Sequence, residues 1–293
     1  MRIDLHTHTT ASDGSDTPAG LVRKAARLGL VALAVTDHDS VDGLAEALAA
    51  GEELACGGRP VTVIPGIELT TDTDECEVHV LGLHIDRAHP ALVARLEAIR
   101  EERIARAQAM VAKLQSLGVP LEWEAVWRLA GGRRFIGRSQ IFRAMKEQRL
   151  IPPEHARGAF AYYFSKGGAA YVPHSYLTPV EAIEAIRQAG GVPVLAHPGR
   201  LMAGAPPSDA LIAQLTRKGL LGLEAYYPLH DAGETAHFLR LADRLGLIPT
   251  GGTDYHGRYG AAGVALGSCS PPASTLIRLR QAADDVRRAD KGV

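Results

Sequence analysis

His6, His8, Asp13, His38, Glu68, His79, His197, Asp254 and His256 are the residues of this chain whose types and spacing could do chemistry. They fall in short motifs, His6-Thr7-His8, Thr36-Asp37-His38-Asp39, Ala196-His197-Pro198-Gly199 and Thr253-Asp254-Tyr255-His256, with Asp13, Glu68 and His79 between. Each motif comes just past an apolar run. A lone histidine more often packs in a core or faces solvent than binds an ion. A His-x-His pair on a strand is different, because side chains alternate with period two and both rings share one face. Recurrence of such groups after separate strands strengthens the metal reading further. Mixed imidazole and carboxylate donors suit manganese, zinc or iron, and nine donors are too many for one ion. The set implies a metal-dependent hydrolase with a multinuclear site.

The elements that must position these groups alternate strand and helix. Residues 2–6 read as a strand, and Thr17-Pro18 starts a helix carrying Leu21, Val22, Ala25 and Leu28 at helical spacing. Gly29 closes it, and residues 30–36 form an apolar run of buried-strand type. A helix over 41–55 and strands over 61–64 and 78–83 follow, with the Gly and Pro pairs Gly57-Gly58 and Pro65-Gly66 read as turns at the joints. From His89-Pro90 the pattern changes. One long helix over 91–117 shows Leu92, Leu96, Ile99, Met110, Leu114 and Leu117 on a stripe, and helices over 121–130, 138–149 and 153–165 follow without strands. The reading is a helical insertion over 90–170, forming a substrate-binding lid on a body made of 1–89 and 171–293. Alternation resumes with helices over 178–189, 208–218, 233–245 and 272–287 and strands over 192–196, 222–226 and 247–250. Repeated βα units favour parallel strands. His6, His38, Glu68, His197 and Asp254 each fall at the carboxyl end of a predicted strand, and a closed barrel gathers such ends on one rim. The fold expected is α/β, a barrel with a helical insertion.

Composition narrows the class. The 293 residues suffice for one large domain or two modest ones, and 46% apolar with 22% charged residues is ordinary for a globular enzyme. A net charge of −1 gives no global pull on nucleic acid or membrane, so a stable nucleic-acid complex is not expected. Cys56, Cys76 and Cys269 lack CxxC spacing and read as reduced thiols. The strand at residue 2 leaves no room for a signal peptide, and no apolar run reaches membrane-spanning length, so a cytoplasmic protein is expected.

At His6-x-His8, Asp37-His38, Glu68, His79, His197-Pro198 and Asp254-x-His256 the chain resembles the PHP (polymerase and histidinol phosphatase) family. Gly137-Arg138, Ala170-Tyr171-Val172-Pro173 and Thr250-Gly251-Gly252-Thr253-Asp254 carry the likeness to its small phosphoesterases, including the 3′,5′-nucleoside bisphosphate phosphatase type. Gln140 departs from the pattern, standing where many relatives have histidine. The resemblance implies a distorted (β/α)7 barrel and two or three divalent ions per chain, manganese first, with zinc or iron as alternatives. It also implies that His6, His8 and Asp254 hold one ion and His79 serves a second. Asp13, His38, His197 and His256 would complete the remaining positions. Glu68 is the candidate bridging carboxylate.

Phosphate ester hydrolysis needs an activated water, neutralisation of the phosphoryl oxygens and help for the leaving group. Glu68 and His197 are the catalytic candidates at the metals, and His230 is the candidate general acid. Arginine forks match phosphate geometry, and a helix start suits an anion, so Arg134, Arg138 and Ser139 are read as phosphate-binding. Lys166 in Ser165-Lys166-Gly167-Gly168 and Arg200 beside His197 join them, whereas Arg143 reads better as a surface residue. Tyr226, Tyr227 and Tyr255 are candidates for stacking on a base. The expected substrate is a small nucleotide with two phosphates, pAp giving AMP and inorganic phosphate. A 5′-to-3′ exonuclease and a histidinol-phosphate-type phosphatase are the alternatives.

Overall fold

Capped helices and short apolar strands follow one another from the first residues. β1 (Arg2–Asp4) leads to α1 (Pro18–Arg27), where the Thr17 hydroxyl accepts the Gly20 amide and Pro18 occupies a position that needs no amide partner. β2 (Leu30–Val35), α2 (Leu44–Cys56), β3 (Thr62–Asp72) and β4 (Glu77–Leu83) come next. The helices α3 (Pro90–Ser116), α4 (Trp123–Leu129), α5 (Arg138–Glu147) and α6 (Ala159–Phe164) then run without a strand among the described residues. α7 (Pro179–Gln188) opens on a Thr178–Glu181 capping box and leads to β5 (Val192–Leu195). After α8 (Asp209–Arg217) and β6 (Gly222–Tyr226), α9 (Ala232–Leu245) is capped by Asp231 and Glu234. It ends on Gly246 in the left-handed region, before β7 (Ile248–Gly251) and α10 (Ser274–Asp290). The computed structural model describes residues 1–73, 76–131, 135–155, 157–173, 177–200 and 206–290.

Two compact units result. Met1–Arg95 and Leu177–Val293 form the first, and Leu96–Tyr176 the second. In the first, seven strands run in the order β1-β2-β3-β4-β5-β6-β7. All neighbours are parallel except β4, which is antiparallel to both β3 and β5. The sheet closes where the chain beyond β1 meets the chain beyond β7. The Leu5 amide donates to the Gly251 carbonyl at 3.3 Å, the His8 amide donates to Tyr255 at 2.9 Å, and Thr7 bridges Tyr255 in parallel. This is a distorted (β/α)7 barrel. Its interior takes alternate residues of the strands, Ala32 and Ala34 from β2 and Val192 and Val194 from β5, as period-two geometry requires. The second unit is helical among its described residues and packs Met110, Leu114, Val126, Ile141, Met145 and Phe164.

Several expectations are corrected. The strand expected at 61–64 continues to Asp72 through Pro65 and Gly66, which the sequence suggests as a turn. A Cβ at Gly66 would lie 2.8 Å from the Thr36 side chain and 3.0 Å from the Gly82 carbonyl, so glycine here marks close strand approach. The all-parallel expectation fails at β4, because the link between Asp72 and Glu77 is far too short for a crossover and forms a hairpin. Glu68 therefore lies within β3, not at its end. The helix expected over 153–165 is a 3-10 turn at Pro153–His155 and then α6, separated by Gly158 at φ 80°. Leu117 is exposed beyond the end of α3, outside the stripe. The three cysteines are free thiols, and no described helix is long and apolar enough to cross a membrane.

The seam between β1 and β7 tolerates little. A Cβ at Gly252 would lie 2.4 Å from His6 Cβ and 2.5 Å from its amide nitrogen. Gly252→Ala should lower stability by about 1–3 kcal/mol, the scale of overpacking a core. Thermal melting of the metal-stripped protein checks this, and an unchanged melting temperature would show the seam to be loose.

Candidate metal centre

All nine residues singled out for their metal-binding chemistry converge on one rim of the barrel. His6 and His8 lie two and four residues past β1, and period-two alternation sends both rings inward, with centroids 5.2 Å apart. Asp37, just past β2, is a fully buried carboxylate that accepts the Thr9 amide (2.7 Å), the Thr9 hydroxyl (2.7 Å) and the Ser12 hydroxyl (2.6 Å). It thereby fastens the loop carrying Asp13 to the end of β2. The neighbouring backbone pairs with β3 on both sides of Glu68, and His38 bridges Glu68 in parallel. His79 lies opposite Thr70 in the β3–β4 hairpin, two residues from Glu68 and so on the same face.

Glu68 stands at the middle with no exposed surface. Its Oε2 is 3.2 Å from His6 Nε2, 3.1 Å from His8 Nε2 and 3.0 Å from His38 Nδ1. Its Oε1 is 2.8 Å from His79 Nδ1 and 3.1 Å from His197 Nε2. Asp254 Oδ1 faces His8 Nε2 at 3.2 Å, His256 Nδ1 at 3.4 Å and His6 Nε2 at 3.5 Å. Asp13 Oδ1 lies 3.1 Å from His256 Nε2. Among the described residues three donor groups emerge, each with its donor atoms within 4.8 Å of one another: His6, His8, Glu68 and Asp254; His8, Asp13, His38 and His256; and His38, Glu68 and His79. His197 lies against the third group through Glu68 Oε1.

These residues fit divalent ions. Among the described residues, Nε2 of His6 and His8 and Oε2 of Glu68 are buried with no hydrogen-bond partner, which is costly for polar atoms unless something ligates them. The electrostatics agree. Burial alone would raise the Glu68 and Asp254 carboxyls and lower the imidazoles. Facing imidazoles overcome it and hold both carboxyls well below the usual range. In return the carboxylates lift His8 to about 10 and His79 to about 9 against burial, and carry His6 well above its ordinary value. Burial pushes His38 down to about 3, because the lift from Glu68 and Asp13 is offset by the neighbouring His8 and His79. Anionic carboxylates in such a crowd call for compensating positive charge.

The other predicted residues fall out unequally. Arg200 donates to Asp254 Oδ2 and, at 2.9 Å, to the Tyr227 hydroxyl, so it stands beside the centre. The Tyr227 hydroxyl donates to the same Asp254 oxygen at 3.2 Å, while Tyr255 donates to Asp16 and accepts from Lys24. His230 receives the Gly199 amide on Nε2 at 3.1 Å and sits 3.1 Å from the Ala225 carbonyl through Nδ1. With both nitrogens on backbone, it braces the His197–Gly199 turn. Arg138 and Ser139 form the first turn of α5, and Lys166 follows α6, all in the second unit. Arg134 lies outside the described residues. Gln140 accepts the Gly137 amide at 2.9 Å and closes the α5 cap, a local duty that accounts for the amide side chain.

Sequence reasoning passed over the buried carboxylates of Asp4 and Glu224. Asp4 accepts the Thr253 amide (2.9 Å), the Thr253 hydroxyl (2.6 Å) and the Gly267 amide (2.9 Å), tying β1 to the turn before Asp254. Glu224 lies within β6 against His6 and the His197 amide. A charged residue in the middle of a short apolar strand, as in Gly222-Leu223-Glu224-Ala225, was the available signal.

Comparison with known proteins agrees with this geometry. A PHP domain match spans residues 4–117. Over 254 residues the chain is 35% identical to the 3′,5′-nucleoside bisphosphate phosphatase of Chromobacterium violaceum, covering 87% of each. The chain belongs to the PHP family. A second relative, the 5′-3′ exoribonuclease Rnm of Salmonella typhimurium, is 34% identical over 253 residues, 86% of this chain and 84% of that one. Among solved structures, a protein from Bifidobacterium adolescentis assigned as a metal-dependent phosphoesterase superposes with a TM-score of 0.84 at 31% identity, over 96% of each chain. This PHP chain is accordingly a hydrolase of phosphate esters.

Two outcomes follow from the donor set. At pH 7.5 His8 and His79 carry protons, because their values are raised to about 10 and about 9, and metal ligation requires them neutral. Manganese binding should therefore release protons and tighten as pH rises toward 9. Calorimetric titration in buffers of different ionisation enthalpy reads this directly, and zero proton release would contradict it. Glu68→Ala should remove phosphate ester turnover and reduce the bound metal per chain while the metal-free fold persists, as elemental analysis and circular dichroism would show.

Proposed function

We propose that this PHP enzyme removes the 3′-phosphate of 3′,5′-nucleoside bisphosphates, converting pAp to AMP and inorganic phosphate. The observation that carries the reading is the gathering of three donor groups around the single carboxylate of Glu68, with Arg200 and Tyr227 on its edge. Similarity along most of the chain to a nucleoside bisphosphate phosphatase supports the substrate class.

His6, His8, Glu68 and Asp254 would hold one ion, His38, Glu68, His79 and His197 a second, and Asp13, His8, His38 and His256 a third. Divalent ions, manganese first, would supply there a water of lowered pKa and charge neutralisation on the phosphoryl oxygens. The chain's own groups do the rest. Arg200, oriented by Asp254 and Tyr227, presents a fixed guanidinium to a phosphoryl oxygen. Tyr227 is pushed well up by burial and by Asp254, so it keeps its proton and remains a donor. Asp37 and Asp4 hold the two loops that carry Asp13 and Asp254, so the donors are ordered before substrate arrives. The proposal gives the non-reacting phosphate to Arg138, Ser139 and Lys166.

The second reading is a 5′-to-3′ exoribonuclease, which the similarity to Rnm favours. A net charge of −1 weighs against extended binding of a polyanion.

A phosphate-release assay with manganese over pAp, AMP, histidinol phosphate and 5′-phosphorylated oligoribonucleotides decides between them. Release of AMP and phosphate from pAp should be the fastest reaction. Efficient stepwise release of mononucleotides from RNA would replace this assignment with the exoribonuclease.

Arg138→Ala and Lys166→Ala should each lower kcat/KM for pAp by roughly tenfold or more, since a charge-assisted phosphate contact contributes about 1.5–3 kcal/mol. The loss should shrink for a 3′-monophosphate. Equal losses on both substrates would move these residues to the reacting phosphate.

A further inference from the structure

Glu224 is a fully buried carboxylate that belongs to none of the three donor groups. Its two oxygens each lie 3.2 Å from His6 Nδ1, and Oε2 also accepts the His197 amide at 2.8 Å. His197 has φ 25°, in the left-handed region that a residue with a Cβ enters at a cost. Just downstream, His230 takes the Gly199 amide. Residues 224 and 230 therefore grip both ends of the His197–Gly199 turn. The His6 and His197 rings stack at 5.5 Å with 19° between planes, and the shared carboxylate lies against one ring and the backbone of the other.

We infer that Glu224 is a positioning residue that fixes the His6 tautomer and holds His197 in its strained turn, acting on the metal centre through both. The inference rests on the metal reading given above. A carboxylate only accepts, so Nδ1 of His6 must carry the proton. Once the ring is neutral, as ligation requires, the lone pair is left on Nε2, which lies 3.2 Å from Glu68 Oε2 and 3.5 Å from Asp254 Oδ1. A carboxylate behind a ligating imidazole also raises its donor strength.

A purely packing role and a tautomer-setting role respond differently to Glu224→Gln. The amide keeps the volume, and its oxygen can still take the His197 amide. Its NH2 group then competes with the ring N–H at Nδ1, and a neutral amide no longer strengthens the imidazole as a ligand through Nε2. Manganese and zinc titrations of metal-stripped wild type, Glu224→Gln and Glu68→Ala, followed by calorimetry and elemental analysis, separate the cases. Glu224→Gln should weaken one ion by about tenfold to a hundredfold, the usual effect of losing such a partner, with the metal-free melting temperature near wild type. Full metal content at wild-type affinity in Glu224→Gln would overturn the inference while leaving the metal centre intact. Wild type that binds no metal would overturn the metal reading itself, and this inference with it. A second measurement needs no variant. In cadmium-loaded wild type, nitrogen-15 NMR of the imidazoles should show His6 bonded to the metal through Nε2 and protonated on Nδ1. Ligation through Nδ1 would sink the proposal even if Glu224→Gln cannot be folded.

Discussion

One buried carboxylate facing five imidazoles is the constraint on which the barrel unit turns. A carboxylate as deeply buried as Glu68 costs several kcal/mol unless charge and hydrogen bonding compensate it. The compensating rings come from the chain beyond β1, β2 and β5 and from β4, so no single strand can supply the environment. A shift of any one strand would leave part of the charge unmatched. The chemistry and the sheet geometry are thus fixed by the same contacts.

Around that centre, acidic residues divide into two kinds. Glu68, Asp254 and Asp13 turn their oxygens toward imidazoles, whereas Asp4 and Asp37 turn theirs toward backbone amides and hydroxyls. Asp4, with no donor ring in reach, is raised by burial to about 6, opposite in direction to Glu68. The difference follows from partners alone, since both groups are fully buried. Backbone-binding carboxylates order the loops, and the imidazole-facing ones carry the charge that an ion would answer.

The donor set was legible in the sequence because metal binding demands a narrow range of residue types. His6-x-His8 and Asp254-x-His256 say much in few letters. Strand direction was not legible, since periodicity shows which face is buried but not which way a strand runs, and β4 was misread for that reason. Pro65-Gly66 resembles a turn by composition, and only the nearness of Thr36 and the Gly82 carbonyl shows why a strand uses them. Glu224 was passed over because its meaning lies in His6, 218 positions away. The backbone contacts of both His230 nitrogens were likewise invisible in the sequence, because Gly199 lies 31 positions away.

The seam joining the start of the barrel to its end has a consequence for how the chain matures. Asp4 and Thr253 meet across 249 positions, and Thr7 pairs with Tyr255 beside them. Contacts of such long range form late, because the chain between them must already be ordered. His6 and His8 meet Asp254 and His256 only when that seam shuts. A nascent or truncated chain that ends before β7 would keep His6, His8 and Glu68 but lack Asp254 and His256, leaving the first two donor groups incomplete. A full complement of ions would thereby report topological completion, whereas the His38–Glu68–His79 group needs no part of the seam.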